Sequence, residues 1–125
     1  MIERLGTTAE DGRPKLPIAS AVRAGNFVFV SGQVGFDGAG KLVAGGIVEQ
    51  TEQTIANISA ILASAGCSLA DVVKVGVWLD DARDFGAFNQ VFAKHFGNNP
   101  PARSTVQSSL VIDAKVEIDV IAYKA

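Results

Sequence analysis

Arg103 is the residue of this sequence that its neighbours place best for binding a ligand. It follows Pro100, Pro101 and Ala102 and begins a predicted strand over residues 103–109. Each proline restricts its own backbone and that of the residue before it, so the strand is entered at a fixed angle. A planar guanidinium can pair with both oxygens of a carboxylate. We therefore expect Arg103 to bind a substrate carboxylate, while a surface arginine or a structural ion pair is the alternative.

Three further polar residues lie where they could contribute to a site. Glu117 interrupts an apolar strand, where a carboxylate is either solvated on an open face or held in a site and able to activate a water. Asn89 lies beside a row of phenylalanines on a predicted helix, where its amide must bind either backbone or a ligand. Ser31 ends a predicted buried strand just before Gly32, which is a common ligand position and also ordinary loop chemistry.

The other reactive residue types exclude several kinds of site. One histidine, His95, and one cysteine, Cys67, exclude multi-histidine and cysteine-cluster metal sites and an internal disulfide. The glycines between positions 35 and 46 form neither a Gly-Lys-Ser/Thr nor a G-x-G-x-x-G pattern, so they predict no phosphate loop. Nucleic-acid binding is disfavoured, because the net charge is -2 and the basic residues are scattered.

The expected compartment follows from three features of the chain. The N-terminal residues hold no apolar signal-peptide core. No run approaches the ~18 apolar residues that a membrane-spanning helix needs. A lone cysteine fits a reducing compartment. We therefore expect a cytoplasmic protein with no membrane partner.

Strands and helices alternate along the chain, and these elements must position the candidate residues. Residues 1–16 are polar and contain glycine and proline, which predicts a loosely held arm. A helix is predicted over 47–64, ending before Gly66. A second helix is predicted to be capped by Asp81 and to carry Phe85, Phe88, Phe92 and Phe96 on one stripe. Strands are predicted, the first two as a hairpin, at 18–23, 27–30, 41–43, 72–79, 103–109 and 115–123.

One sheet with two helices on one face is the simplest packing for this order of elements. We therefore expect a single α+β domain over residues 1–125. The strand over 72–79 is apolar on both faces, which is typical of a strand covered on both sides. One face of this strand carries Val73, Val75, Val77 and Leu79, and the other face carries Val72 and Trp78. Hydrophobic residues make up 48% of the chain, which an apolar core and an interface with another subunit explain equally well.

Several short segments together resemble a known family. The most specific are Pro101-Ala102-Arg103-Ser104 and Val116-Glu117-Ile118. Others are Val30-Ser31-Gly32-Gln33, Asp71-Val72-Val73-Lys74, Asp84-Phe85 with Asn89, Gly25-Asn26, Ala65-Gly66 and Ile121-Ala122. From about Pro17 onward, this pattern resembles the Rid proteins, also called YjgF/YER057c/UK114, the reactive-intermediate deaminases.

The resemblance implies a chorismate-mutase-like fold in a homotrimer, with the sheets packed inward as a barrel and the active sites between subunits. It implies hydrolysis of 2-imino acids such as 2-iminopropanoate and 2-iminobutanoate, or of their enamine tautomers, to 2-keto acids and ammonia. It places Arg103 on the substrate carboxylate, Glu117 on the attacking water, and Ser31, Asn89 and Thr105 in the pocket. It implies no metal or organic cofactor, because an iminium carbon is already electrophilic.

The sequence departs from the family pattern at two positions. Ile18 stands where the archetype has a tyrosine, so the hydroxyl of that residue is absent. Thr105 stands where the archetype has a cysteine. These changes bear on the substrate range more than on the fold. Two other functions are compatible with the pattern: a non-catalytic ligand-binding or regulatory trimer, and an endoribonuclease, which the net charge disfavours.

Overall fold

Six strands and two α-helices make up the described part of the chain, residues 1–7 and 16–125 of a computed structural model. The helices are α1 (Ile47–Ser64) and α2 (Phe85–Phe96). The strands are β1 (Ile2–Leu5), β2 (Ala21–Ala24), β3 (Phe27–Gln33), β4 (Val72–Leu79), β5 (Ala102–Gln107) and β6 (Val116–Tyr123). Within these ranges, neither helix is long and apolar enough to cross a membrane.

The six strands form one mixed sheet in the order β1-β2-β3-β6-β4-β5. The β4–β5 pair is parallel and every other neighbouring pair is antiparallel. Both helices contribute their apolar stripes to the same hydrophobic core as the sheet. The predicted α+β architecture, a mixed sheet with two helices on one face, is therefore confirmed.

Strand β6 sets the two faces of the sheet, because its side chains alternate between them. Val116, Ile118 and Val120 are at most 2% exposed and face the helices. Glu117 and Asp119 point to the opposite face and are half-buried. We call this opposite side the open face of the sheet. Four large side chains on it are more than 40% exposed: Phe27, Phe29, Val106 and Tyr123.

Helix α1 forms over the residues that the helical spacing predicted. Ile55, Ile58 and Leu62 recur at i, i+3 and i+7 and are buried against the sheet. At its start, the Glu49 carboxylate accepts a hydrogen bond of 2.8 Å from the Gly46 backbone N–H. After its end, Gly66 adopts a φ of 78°, which a glycine does at little cost.

The N-terminal arm and the strand predicted at 41–43 differ from their predicted form. Residues at the start of the arm form β1, in which Glu3 lies opposite Arg23 of β2, so the chain begins as an edge strand. Residues 8–15 of the predicted arm lie outside the described residues. The strand predicted at 41–43 is a single bridge between Phe36 and Leu42.

Two details of the predicted elements are wrong. The pairing of β4 with β6 is irregular between Val72 and Lys74, so Val72 enters the core and Val73 is 45% exposed. Asp81 does not cap α2. Its carboxylate accepts from the Arg83 backbone N–H at 2.9 Å and caps the one-turn 3-10 helix Ala82–Asp84, after which α2 begins.

The packing of α1 on the sheet predicts a large difference between two substitutions in one helix. Ile58 is fully buried, so Ile58→Ala leaves a cavity and should lower the free energy of unfolding by about 2–5 kcal/mol. Val48 is 41% exposed, so Val48→Ala should change it by less than about 0.5 kcal/mol. Urea unfolding at fixed protein concentration measures both values. Equal values would contradict the placement of α1.

Candidate functional site

The side chain of Arg103 lies against aromatic rings at the edge of the sheet. β5 is the edge strand, and Arg103 is in register with the buried Val75, so it points to the helix face. Its guanidinium carbon is 4.7 Å from the ring centroid of Phe92, 5.4 Å from that of Phe88 and 5.8 Å from that of Phe85. At these distances the ring faces attract a cation.

The charge of Arg103 is only partly compensated by these rings. Burial lowers the pKa of the Arg103 guanidinium, because desolvation penalises the charged form. None of the ion pairs formed within residues 1–7 and 16–125 involves Arg103. A half-buried guanidinium without an acidic partner in this part of the chain favours an anion as its ligand.

The fold brings Arg103 and Asn89 together. Both line an open pocket of about 380 Å³ between α2 and the segment that leads into β5. The remaining lining is almost wholly apolar: Phe92, Ala93, Phe96, Gly97, Pro100 and Pro101. We call this cavity the α2 pocket. A cation and an amide beside an apolar cavity can hold a small organic acid.

Ser31 and Glu117 form a second group on the other side of the molecule. The Glu117 carboxylate lies directly over Gly32, where a Cβ would collide with Oε2. Ser31 and Gly32 line an open pocket of about 390 Å³ together with Ile18, which is 54% exposed. The Ser31 hydroxyl donates its hydrogen to the Ala19 carbonyl at 2.6 Å. Towards a ligand, this hydroxyl can therefore act only as a hydrogen-bond acceptor.

Glu117 shares the open face with a second carboxylate. Burial raises the pKa of Glu117, and the nearby Asp119 charge raises it further. Burial also raises the pKa of Asp119, although the Gly76 backbone N–H donates to its Oδ1 at 3.1 Å. A carboxylate with a raised pKa is a stronger base when ionised, which suits the removal of a proton from water.

The two groups of predicted site residues do not meet within one chain. Arg103 points to the helix face, whereas Glu117 points to the open face, in register with Trp78. Their strands are separated by β4, which places their backbones roughly 10 Å apart. One small ligand therefore cannot contact both side chains of the same chain.

Thr105 lies with the Arg103 group. It is in register with Val77 on the helix face of β5, two residues after Arg103. Its hydroxyl is buried and finds no hydrogen-bond partner in the described ranges. No group of three or more His, Cys, Asp or Glu in those ranges is arranged to hold a metal ion.

The aromatic setting of Arg103 was missed by the sequence analysis. The spacing of Phe85, Phe88 and Phe92 predicts a helical stripe, but nothing in that spacing places Arg103 beside it. Phe88 is fully buried. Phe85 is 44% exposed, and its ring centroid lies 5.8 Å from the guanidinium carbon of Arg103. Only the parallel docking of β5 beside β4 brings Arg103 over these rings.

A half-buried cation beside an apolar pocket, at the edge of a sheet covered by two helices, is an arrangement that can hold a small organic anion. The family model described as Endoribonuclease L-PSP matches residues 13–124. The chain therefore belongs to this family, the YjgF/UK114 or Rid family, and the resemblance found in the sequence is confirmed.

Individual relatives support the same assignment. The chain is 47% identical over 114 residues to RutC family protein PH0854 of Pyrococcus horikoshii, with 90% of each chain covered. It is 40% identical over 124 residues to the 2-iminobutanoate/2-iminopropanoate deaminase of Capra hircus, covering 98% of this chain and 90% of the goat protein. The crystal structure of yeast Mmf1 matches with a TM-score of 0.90 and 38% identity over the full length of both chains.

The raised pKa of Glu117 predicts a pH-dependent cost in stability. An acid whose pKa is raised by folding costs no stability while it is protonated in both states, and the cost grows as the pH rises from the unfolded-state pKa to the folded-state pKa. Glu117→Gln should therefore raise the urea midpoint at pH 7, and the gain should vanish below about pH 4, where the wild-type carboxyl is protonated.

The matched control is Asp113→Asn, a neutralised acid in an exposed loop. It should leave the midpoint within error at both pH values. A Glu117→Gln midpoint equal to that of the wild type at pH 7 would contradict the burial of Glu117.

Proposed function

We propose that this protein hydrolyses 2-imino acids of the 2-iminopropanoate and 2-iminobutanoate type, or their enamine tautomers, to 2-keto acids and ammonia. The observation that carries the proposal is the half-buried guanidinium of Arg103, held on aromatic rings beside an apolar pocket. A 2-imino acid offers the matching groups, a carboxylate next to an electrophilic carbon and an apolar side chain. The activity named for the goat relative is of this type.

The proposed reaction is an addition of water followed by loss of ammonia. Arg103 binds the carboxylate, which fixes the neighbouring imine carbon in position. Glu117 accepts a proton from a water as its oxygen bonds to that carbon, and the C=N π electrons move to nitrogen. With the imine nitrogen protonated at the start, Glu117 then returns the proton to nitrogen and accepts the proton of the new hydroxyl as the C=O bond forms, the C–N bond breaks and ammonia leaves. Ammonia finally takes the proton from Glu117 and departs as ammonium. The overall change consumes one water and one imine.

The proposed site requires a second copy of the chain, because Arg103 and Glu117 of one copy face opposite sides of the sheet. We propose a homotrimer with chorismate-mutase-like subunits, with the sheets inward and each site between two copies. The open face supports this arrangement, since Phe27, Phe29 and Tyr123 form an exposed aromatic cluster there. Apolar clusters of this kind mark surfaces that are covered by a partner.

The role of Arg103 predicts a loss of activity without a loss of folding. Arg103→Ala should lower kcat/KM for 2-iminopropanoate by about 100-fold or more, because the carboxylate loses its charge-assisted partner. The imine is generated from L-alanine by an amino acid oxidase, and its disappearance is followed in the presence of semicarbazide. Circular dichroism checks the fold.

The matched control is Arg83→Ala, which removes an exposed arginine paired with Asp81. It should leave the rate unchanged. Full activity in the Arg103→Ala variant would contradict the proposal.

The shared site predicts complementation between two inactive variants. Arg103→Ala and Glu117→Gln chains, unfolded together and refolded as a mixture, should regain about one quarter of the wild-type rate, because each site draws one residue from each of two copies. Sedimentation equilibrium should give a trimer. A mixture as inactive as its separate components would contradict a site between copies.

A non-catalytic ligand-binding or regulatory role is the second candidate, favoured by Ile18 at the position of the family tyrosine. It would appear as calorimetric binding of pyruvate, lost in Arg103→Ala, with no faster loss of imine. The net charge of -2 disfavours RNA as a substrate. We propose the cytoplasm as the location, which the single buried cysteine, Cys67, supports.

A further inference from the structure

The α2 pocket has a polar end and an apolar end. Its helical wall is formed by Asn89, Phe92, Ala93, Phe96 and Gly97, which recur at the i, i+3, i+4, i+7 and i+8 spacing of one helix face. This stripe is about 12 Å long at the rise of an α-helix. Asn89 lies at the end where the guanidinium of Arg103 contacts Phe88 and Phe92. The opposite end of the stripe lies at Phe96 and Gly97, and Pro100 and Pro101 complete the lining.

This polarity restricts the kind of ligand that fits. The cationic end matches a carboxylate, and the amide of Asn89 adds one donor and one acceptor group beside it. No other described residue that lines the cavity is charged, and Ala93, Phe96 and the two prolines offer apolar surface. A matching ligand is an organic acid whose carbon chain continues several atoms beyond the carboxylate.

The side chain of a small imino acid is too short to use this surface. The methyl group of 2-iminopropanoate ends next to the reacting carbon, so the apolar end of an open cavity of about 380 Å³ would hold water. A branched or aromatic side chain would displace that water and bury apolar surface on both molecules, which is favourable in proportion to the area buried.

We propose that the α2 pocket is the side-chain subsite of the proposed deaminase, and that it selects 2-imino acids with large apolar side chains, such as those formed from leucine, over the imine of alanine. The proposal rests on the proposed function, since it takes Arg103 as the carboxylate-binding residue. Ala93 is the residue that sets the size of the subsite. It lies midway along the helical wall, and its side chain is small and exposed.

Ala93→Leu is the substitution that tests the subsite. Leucine is a good helix former, and an exposed helical position accepts it without repacking the core. The larger side chain fills the middle of the pocket while leaving Arg103 in place. We expect kcat/KM for the leucine-derived imine to fall about 10-fold or more. The filled pocket can no longer bury the methyl groups of the leucine side chain, and one methylene group in an apolar pocket changes kcat/KM by about that factor. The alanine-derived imine should change less than about twofold, since its methyl group does not reach the filled region.

Ala60→Leu is the matched control, because Ala60 is an exposed alanine on α1 away from the pocket. It should leave both rates unchanged. Both imines are generated by the same amino acid oxidase, from L-leucine and from L-alanine, and thermal unfolding checks that all three proteins are equally stable. A parallel fall of both rates in Ala93→Leu, or two unchanged rates, would overturn the subsite while leaving the deaminase activity intact.

Failure of the proposed function gives a different result, since wild-type protein would then turn over neither imine. The subsite is in that case judged by calorimetry with the two corresponding keto acids, 4-methyl-2-oxopentanoate and pyruvate. Tighter binding of the longer acid that is lost in Ala93→Leu supports the subsite. Equal binding of the two acids to the wild-type protein overturns it.

Discussion

The alternation of side chains along β6 is the constraint on which the rest of the structure depends. This strand lies inside the sheet between β3 and β4, and its inward residues Val116, Ile118 and Val120 are almost fully buried. A slip of one residue would move these groups to the open face and drive Glu117 and Asp119 into an apolar core. Because burying unpaired carboxylates is costly, the register of β6 is strongly specified. That register also decides which side of the sheet carries Glu117.

The electrostatics of the molecule follow from this arrangement. Each face of the sheet carries a charged side chain that is not neutralised by an opposite charge in the part of the chain that the structure describes. Arg103 lies against aromatic rings on the helix face, and Glu117 lies near Asp119 on the open face. Desolvation shifts the pKa of both Arg103 and Glu117 against the charged form. Desolvated charges of this kind reduce stability and are typical of functional positions. The two side chains lie on opposite sides of one thin sheet, which is why the proposed shared site needs two copies.

The features of the fold that can be predicted from the sequence are those that depend on residues close together in the chain. The bounds of α1 and β4 agree with their predicted ranges, because a helical stripe and an apolar β-branched run are properties of neighbouring residues. β1 was missed because a short, exposed strand carries little pattern and forms by pairing with β2. The placement of Val73 was wrong because the irregular pairing with β6 is a contact between distant segments. The predicted capping of α2 by Asp81 is wrong, because a one-turn helix that carries no periodic pattern lies between Asp81 and α2.

The sequence by itself determined the fold class, the family and the residues worth testing, because hydrophobic periodicity and short motifs are written in the order of residues. It did not determine which of those residues act together. Arg103 and Asn89 meet across the α2 pocket, Glu117 lies over Gly32 on the open face, and these pairings arise from strand order and register. Strand order is decided by long-range packing, in which each strand end is placed by partners far away in the chain. The separation of Arg103 from Glu117 on opposite faces of the sheet is therefore a property of the tertiary structure alone.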